Sequence, residues 1–368
     1  MRLIPVNAVK NDAYLAQPLY NSKGQILLSK GVKMNGRYKE KIKEHGFNLI
    51  YIIDEYSDNE LEDVIKPEIR RKTIEMVTST LNTFSELNND HISSFDRQKL
   101  DKYAAKGIEG IQQLTKHIVD DIFTQKDIMV NLVDIKNTDD YTYYHSVNVS
   151  ILGLVLGTGY GLNKIDLYDL AMGCILHDIG KMFIPKSILN KKEKLTPEEY
   201  AIMQEHTSKG FNYLRDHTDL NGKIRLISLQ HQEKVDGSGY PFQLKDNEIY
   251  TLSKIAAIVD VYDALTSTRP YREALPPNEA IEYIMGSGGT HFNMDMVRSF
   301  MRKVIPYPVG TVVRLSNGDL GTIEKIDPEF ILRPVIKIIK QKNQKVSQFL
   351  CDLKKEHNVT IAGIAFEV

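Results

Sequence analysis

The chain has 368 residues, of which 42% are hydrophobic and 26% charged, and its formal net charge at pH 7 is −1. This balance is typical of a soluble globular protein of two or three domains, and it gives no global reason to expect a nucleic-acid polymer or an anionic membrane as partner. Its two cysteines, Cys174 and Cys351, are too few for a disulfide framework, so we expect a cytoplasmic protein. The first residues resemble no signal peptide, and no apolar stretch is long enough to span a bilayer, so no membrane segment is expected.

Residues 1–54 predict a small N-terminal module that is β-rich or α+β. Residues 25–28 and 49–53 are short apolar runs that favour strands, residues 21–24 favour a turn, and residues 37–45 favour a short helix. Residues 55–95 begin acidic and become helical. We interpret them as a helical connector through which a homodimer could form.

Residues 96–305 predict an all-helical domain, because apolar residues recur at intervals of three and four. In residues 306–368 the pattern changes to short apolar runs separated by turn residues such as Ser316-Asn317-Gly318-Asp319, which predicts β-hairpins in a small C-terminal β module. The predicted fold class is therefore mainly α, with a helical bundle between two small β-containing modules.

Six side chains that can bind metal lie at or beside apolar faces of five predicted helices. They are His145, His177, Asp178, His206, His231 and Asp260. An ionised Asp on such a face is costly unless it is paired or metal-bound, and a mixed imidazole and carboxylate set suits iron, manganese, zinc or cobalt better than calcium or magnesium. Taken singly, each histidine is more often a hydrogen-bonded core residue, so the prediction depends on their joint occurrence. His117 and His217 lack this context, and we interpret them as surface or packing residues.

Two local patterns predict where helices that carry or lead to these side chains begin and end. Thr196-Pro197-Glu198-Glu199 predicts a capping box at the start of a helix that leads to His206. Gly180 follows His177-Asp178-Ile179 and is predicted to end the helix that carries His177.

The motifs, taken in order, resemble those of the HD-GYP family, the branch of the HD phosphohydrolase superfamily that hydrolyses cyclic dinucleotides. The likeness covers roughly residues 130–305, and an ordered set of this kind is specific. The matching segments are His145-Ser146-Val147-Asn148-Val149, His177-Asp178-Ile179-Gly180-Lys181, residues 195–206, His231 with Asp236-Gly237-Ser238-Gly239-Tyr240-Pro241, and residues 260–272.

The resemblance implies a binuclear metal centre of iron or manganese, with zinc, cobalt or nickel as alternatives. One ion would be held by His145, His177, Asp178 and Asp260, and the second by Asp178, His206, His231 and the residue after His231, with Asp178 as the bridge. Metal-activated water would attack phosphorus in cyclic di-GMP and give pGpG or GMP.

The resemblance also implies that Asp178 and Lys181 are catalytic and that the substrate is bound by Lys181, Tyr240, Arg269 and Arg272. A structural role is the alternative for each of the substrate-binding residues. Lys181 could be a cation at a helix end, Tyr240 a ring packed in a loop, and the two arginines ordinary ion-pair partners.

The sequence departs from the family pattern at two positions. Gln232 stands where the family usually has a histidine, and an amide oxygen is a much poorer ligand for a first-row transition metal. Tyr141 stands where some relatives carry a glutamate that helps to build a third metal position, so no third metal is expected. Three functions stay open: an active cyclic di-GMP phosphodiesterase, a degenerate domain that binds nucleotide or signalling proteins with little turnover, and a hydrolase of another cyclic dinucleotide.

Overall fold

The structure is a computed structural model, and it describes residues 1–20, 26–45, 47, 49–54, 64–87, 93–124, 141–191, 193–267, 275–327, 329–341 and 344–365. The helices are α1 Gly36–Glu44, α2 Pro67–Leu87, α3 Ser94–Phe123, α4 Tyr141–Tyr160, α5 Lys164–Leu176, α6 Lys186–Leu189, α7 Pro197–Gln204, α8 His206–His217, α9 Gly222–Gln230, α10 Thr251–Thr266, α11 Pro277–Gly286 and α12 Met294–Lys303. The strands are β1 Arg2–Pro5, β2 Tyr14–Leu15, β3 Leu19–Tyr20, β4 Ile26–Leu28, β5 Leu49–Ile53, β6 Val312–Leu315, β7 Leu320–Lys325, β8 Val335–Gln341, β9 Gln344–Asp352 and β10 Ile361–Ile364. A mainly α chain with small sheets near both ends confirms the predicted fold class.

The N-terminal module has its own small core. An antiparallel sheet in the order β1-β5-β2 and the β3-β4 pair enclose it together with α1, and its centre includes Ile4, Leu15 and Ile50. The predicted strands correspond to β4 and β5 and the predicted helix to α1. The turn expected at residues 21–24 lies outside the described residues.

The C-terminal module is an antiparallel sheet of five strands in the order β10-β6-β7-β8-β9. Val313, Ile323 and Ile336 form part of its core. The predicted turn joins β6 to β7, and Gly318 within it has a φ of 87°, a conformation that glycine adopts without steric cost. The predicted hairpin is therefore confirmed, while the module boundaries stay predictions.

Helix α5 lies at the centre of the helical bundle and contacts α3, α4, α9 and α10. Every residue from Asp169 to Leu176 is buried, so α5 has no solvent-exposed face along this stretch. Helix α2 adds Val77, Leu81 and Phe84 to the same core, which packs the helical part of the predicted connector into the bundle. Within the part of the chain that the structure describes, no helix is long and apolar enough to cross a membrane.

The prediction that Gly180 ends the helix of His177 is wrong. Helix α5 ends at Leu176, and Gly180 lies in a 3₁₀ turn at Ile179–Phe183 without the positive φ of a helix-ending glycine. A Cβ at Gly180 would overlap the backbone carbonyl of His206 and approach the backbone nitrogen of Gly210. Glycine is needed here because the turn packs directly against the start of α8.

The capping box at Thr196 is confirmed. The Thr196 hydroxyl accepts a hydrogen bond from the Glu199 backbone N–H at 3.3 Å, and the Glu199 carboxylate accepts one from the Thr196 N–H at 2.8 Å. The helix that it starts is shorter than expected. Helix α7 ends at Gln204, and His206 is the first residue of α8.

Candidate metal centre

The structure brings all six predicted metal-binding residues together in one buried cluster. Five helices supply them: α4 and α10 carry one each in their interior, α8 begins with one, and the ends of α5 and α9 lead directly into the others. The residues are His145, His177, Asp178, His206, His231 and Asp260, each with 8% or less of its surface exposed.

Asp178 lies between two pairs of histidines, and each of its oxygens faces one pair. Oδ2 is 3.3 Å from His177 Nε2 and 3.9 Å from His145 Nε2. Oδ1 is 3.6 Å from His206 Nε2 and 3.7 Å from His231 Nε2. The carboxylate thus divides the cluster into two groups of donor atoms, as a carboxylate that bridges two metal ions does.

Position A is the first group: His145, His177, Asp260 and Oδ2 of Asp178. Asp260 Oδ1 is 3.0 Å from His145 Nε2 and 3.8 Å from His177 Nε2. Four ligands at about 2.1 Å from a tetrahedral metal ion are about 3.4 Å apart. Four of the six donor separations at position A, at 3.0, 3.3, 3.8 and 3.9 Å, scatter around that value.

Position B is the second group: His206, His231 and Oδ1 of Asp178. The two Nε2 atoms are 3.3 Å apart, so the three donor atoms form a triangle with edges of 3.3, 3.6 and 3.7 Å. The nearest point equidistant from all three lies about 2.0 Å from each, which is within the range of metal–imidazole bond lengths. Both groups therefore fit a divalent transition metal.

All four histidines present the same edge to the cluster. Each Nδ1 contacts a protein oxygen that can only accept a hydrogen bond, so the neutral ring carries its proton on Nδ1 and its lone pair on Nε2. The acceptors for His145, His177, His206 and His231 are Asp263 Oδ2, Cys174 O, Met203 O and Ser228 O, at 2.7, 2.7, 2.7 and 3.0 Å. His177 Nε2 is buried and makes no hydrogen bond within the described residues. Histidines that bind metal are typically oriented in this way, by a hydrogen bond from the ring nitrogen that does not face the ion.

The cluster favours a bound cation electrostatically. Burial raises the pKa of Asp178, but the positive charges of Lys181 and His177 outweigh burial and hold this pKa well below its usual range. Burial lowers the pKa of His177, but the carboxylates of Asp178 and Asp260 outweigh it and raise this pKa to about 8. Burial lowers the pKa of His206 to about 3. Two ionised, buried carboxylates thus face the histidines, and a metal ion that displaces the proton of His177 would meet a set of donors that it binds well.

Lys181 lies at the edge of the cluster. It follows Asp178 by three residues in the 3₁₀ turn, and its Nζ is 2.5 Å from Asp178 Oδ2. Its side chain is 27% exposed, so the ammonium group is accessible from solvent while it contacts the buried carboxylate. A partly exposed cation in this place can bind an anionic group that approaches the cluster.

The loop that contains Tyr240 is stabilised by hydrogen bonds to Glu233. No role was predicted for Glu233 from the sequence. The Glu233 carboxylate accepts hydrogen bonds from the backbone N–H groups of Phe242 at 2.7 Å and Leu244 at 3.0 Å. Gly239 packs so closely against the backbone of Glu233 that a Cβ would overlap it. These contacts bring the Tyr240 ring to 6.2 Å from the His206 ring, between centroids, and burial raises the pKa of its phenol.

Two contacts made by further residues near the cluster were not predicted. Asp263, which holds His145, follows Asp260 by three residues on α10, and this helical spacing could have indicated it. Gln232, which the resemblance assigns to the second metal position, instead donates a hydrogen bond from Nε2 to Asp260 Oδ2 at 3.1 Å, and no local pattern indicates this contact.

The remaining predicted residues lie apart from the cluster or cannot be located. Arg269 and Arg272 lie outside the described residues, and so does the side chain of Tyr141. His117 and His217 are exposed, as expected, and the His217 ring stacks on Tyr213 at 4.4 Å between centroids.

Comparison with known proteins places these residues within a recognised domain. The family model described as HD domain matches residues 132–296. The chain is 36% identical over 233 residues to a cyclic di-GMP phosphodiesterase of Pseudomonas aeruginosa, an alignment that covers 63% of this chain and 56% of that protein. It is 28% identical over 273 residues to a cyclic di-GMP phosphodiesterase of Thermotoga maritima, covering 69% and 71%.

Two other similarities are shorter or weaker. A 3′3′-cGAMP-specific phosphodiesterase of Vibrio cholerae is 35% identical over 47% of this chain and 34% of its own length. Among solved structures, an HDG"Y"P protein from Bdellovibrio bacteriovorus aligns with a TM-score of 0.47 at 17% identity, over 81% of this chain and 97% of that one. The chain spans about half the length of several of the relatives that it matches.

Proposed function

We propose that this chain contains an HD-GYP domain of the HD superfamily and that it is a metal-dependent phosphodiesterase that hydrolyses cyclic di-GMP to pGpG or GMP. The observation that carries the proposal is the position of Asp178, whose two oxygens face two separate donor groups. We propose iron or manganese at positions A and B, because imidazole and carboxylate together suit these ions.

Bound metal would supply a nucleophile at neutral pH and offset the charge of the attacking and leaving oxygens. The residues of the chain would hold and orient the reactants. Asp178, as the shared ligand, would fix the distance between the two positions. Lys181, whose ammonium group contacts Asp178 at the edge of the cluster, would bind the scissile phosphate.

Tyr240 is proposed to bind the part of the substrate that lies beyond the scissile phosphate. Its ring lies beside His206 and Tyr200, and burial keeps its phenol protonated and able to donate a hydrogen bond. Arg269 and Arg272 stay proposed ligands of the second phosphate or of a guanine, on the strength of the resemblance alone.

The choice of cyclic di-GMP follows the names of the relatives, several of which are cyclic di-GMP phosphodiesterases. Another cyclic dinucleotide is a specific alternative, since the V. cholerae relative is named for 3′3′-cGAMP. A homodimer formed through residues 55–95 stays a prediction.

The proposal is tested by incubating the protein with Mn²⁺ or, anaerobically, with ferrous iron and separate samples of cyclic di-GMP, 3′3′-cGAMP and cyclic di-AMP. We expect cyclic di-GMP to be converted to pGpG or GMP with the highest kcat/KM. Lys181→Met should lower that value by about 10²-fold, because it removes the cation proposed to bind the phosphate. Tight binding of cyclic di-GMP without turnover at full metal loading would favour the degenerate, nucleotide-binding function instead.

A further inference from the structure

Gln232 is next to His231 in the sequence, yet its side chain is bonded to a residue of the other metal position. Its Nε2 donates a hydrogen bond to Oδ2 of Asp260 at 3.1 Å, and Asp260 belongs to position A. His231 belongs to position B. The residue therefore links the end of α9 to α10.

The backbone of Gln232 is held on its other side by the loop of Tyr240. The Gln232 carbonyl accepts a hydrogen bond from the Tyr240 N–H at 3.2 Å, and the next residue, Glu233, fastens the same loop through Phe242 and Leu244. Because the backbone is fixed on the loop side, the amide is presented to Asp260 from a defined point. Only the NH₂ end of the amide can donate to a carboxylate oxygen.

The contact determines which oxygen of Asp260 is available to position A. The Gln232 amide engages Oδ2, while Oδ1 lies 3.0 Å from His145 Nε2. His145 is held in a similar way, since its Nδ1 is 2.7 Å from Asp263 Oδ2. Two donors of position A, Asp260 and His145, are thus oriented by contacts with Gln232 and Asp263.

Among the residues that the structure describes, position B has fewer donors and less negative charge than position A. It has two imidazoles and one oxygen of Asp178, which it shares with position A, whereas position A has a second carboxylate in Asp260. Divalent cations bind more tightly where more carboxylate charge faces them, and pre-oriented ligands bind more tightly than mobile ones.

On the premise of the proposed metal centre, we propose that Gln232 is a positioning residue for position A and that the two positions fill in order, A before B. The chain would thus hold its first metal ion firmly and its second one weakly. Gln232 acts through Asp260 and has no need to contact either ion.

The order of filling is measured by titrating the metal-free, full-length protein with Mn²⁺ and following the electron paramagnetic resonance spectrum. Up to one equivalent, we expect the six-line spectrum of isolated protein-bound Mn²⁺. The spectrum of an exchange-coupled pair should appear only with further metal. A coupled spectrum from the first addition onward would overturn the proposal.

The role of Gln232 is measured with Gln232→Met, which keeps the length of the side chain and removes the donor. We expect the affinity for the first equivalent of Mn²⁺ to fall by about 10-fold or more, the usual effect of losing an outer hydrogen bond to a metal ligand.

Gln230→Met is the matched control, because Gln230 lies in the same turn and bonds to the Tyr250 N–H instead. An unchanged first affinity in Gln232→Met would overturn the assignment. If that variant does not fold, the titration of the unaltered protein still decides the order of filling.

Gln232→His tests position B. The resemblance implies that a histidine at this place would bind the second ion, and an imidazole is a better ligand than an amide, so the coupled spectrum should appear at a lower Mn²⁺ concentration than in the unaltered protein. A coupled spectrum that still needs as much Mn²⁺ would contradict the proposal.

The outcomes for this inference and for the proposed function are distinguishable. If the two positions fill in order but no hydrolysis occurs, the proposed function alone is contradicted. If hydrolysis occurs but both positions fill together, this inference alone is contradicted.

Discussion

At the scale of single residues, the candidate centre depends on carboxylates that contact different partners through their two oxygens. Asp178 faces both histidine pairs through different oxygens, and Asp260 faces His145 through Oδ1 and Gln232 through Oδ2. Asp263 contacts the Nδ1 of His145. A neutral substitute at any of these positions removes a charge that a neighbouring side chain contacts.

Asp178→Asn should abolish most of the hydrolysis. An amide presents one neutral oxygen in place of two charged ones, so it cannot bridge the two positions, and we expect kcat/KM to fall by about 10³-fold or more. Metal-free thermal stability should fall, because the low pKa of Asp178 means that its ionised form stabilises the folded protein, and the substitution leaves Lys181 and His177 without that partner. Activity within 10-fold of the unaltered protein, measured at equal metal loading, would argue against the bridging role.

Asp263→Asn should weaken metal binding at position A without removing a ligand. The asparagine oxygen can still accept the hydrogen bond of His145, but it no longer carries the charge that makes the imidazole more basic, so we expect about a 10-fold loss of affinity for the first metal ion. Asp246→Asn is a suitable control, since Asp246 contacts Lys254 and Asn293. Equal metal affinities for the two variants, measured by calorimetry, would refute the orienting role of Asp263.

At the scale of elements, the sequence predicted what kind of structure forms more reliably than where each element ends. The capping box at Thr196 was predictable because its residues interact within one turn. The break before His206 and the role of Gly180 were not, because both depend on how closely the 3₁₀ turn packs against α8. Contacts of this kind join residues far apart in the sequence, and a local pattern does not record them.

Gly180→Ala should destabilise the protein and disturb the centre at the same time. Its Cβ would overlap the backbone of His206, which cannot move without displacing this candidate ligand, so we expect a loss of about 2 kcal/mol in the free energy of unfolding together with weaker metal binding. Gly222→Ala is the matched control, because a Cβ at the start of α9 meets nothing within 4 Å. Urea denaturation of both variants measures the difference, and equal midpoints would contradict the close-packing argument.

At the scale of the whole molecule, five separate helices contribute to one centre, so metal binding should stabilise the bundle. The six candidate ligands were predictable from the sequence because their residue types recur beside apolar helix faces. Their grouping into positions A and B was not, because it depends on which oxygen of Asp178 faces which histidine.

Adding Mn²⁺ to the metal-free protein should raise its melting temperature, because an ion that binds only the folded state stabilises it by mass action. At a free concentration 100 times the dissociation constant, the gain is about 2.7 kcal/mol per site. Differential scanning calorimetry measures the shift, and Asp178→Asn should reduce it by more than half. A melting temperature that does not respond to Mn²⁺ would contradict metal binding at the folded cluster.

The central claim, a two-metal phosphodiesterase built around Asp178, is tested most directly by measuring metal content and cyclic di-GMP hydrolysis on one anaerobic preparation as metal is added. We predict that pGpG or GMP formation rises with the second equivalent of iron or manganese and disappears on chelation. A fully loaded preparation with two equivalents bound and no hydrolysis, or hydrolysis that survives complete removal of metal, would contradict the claim.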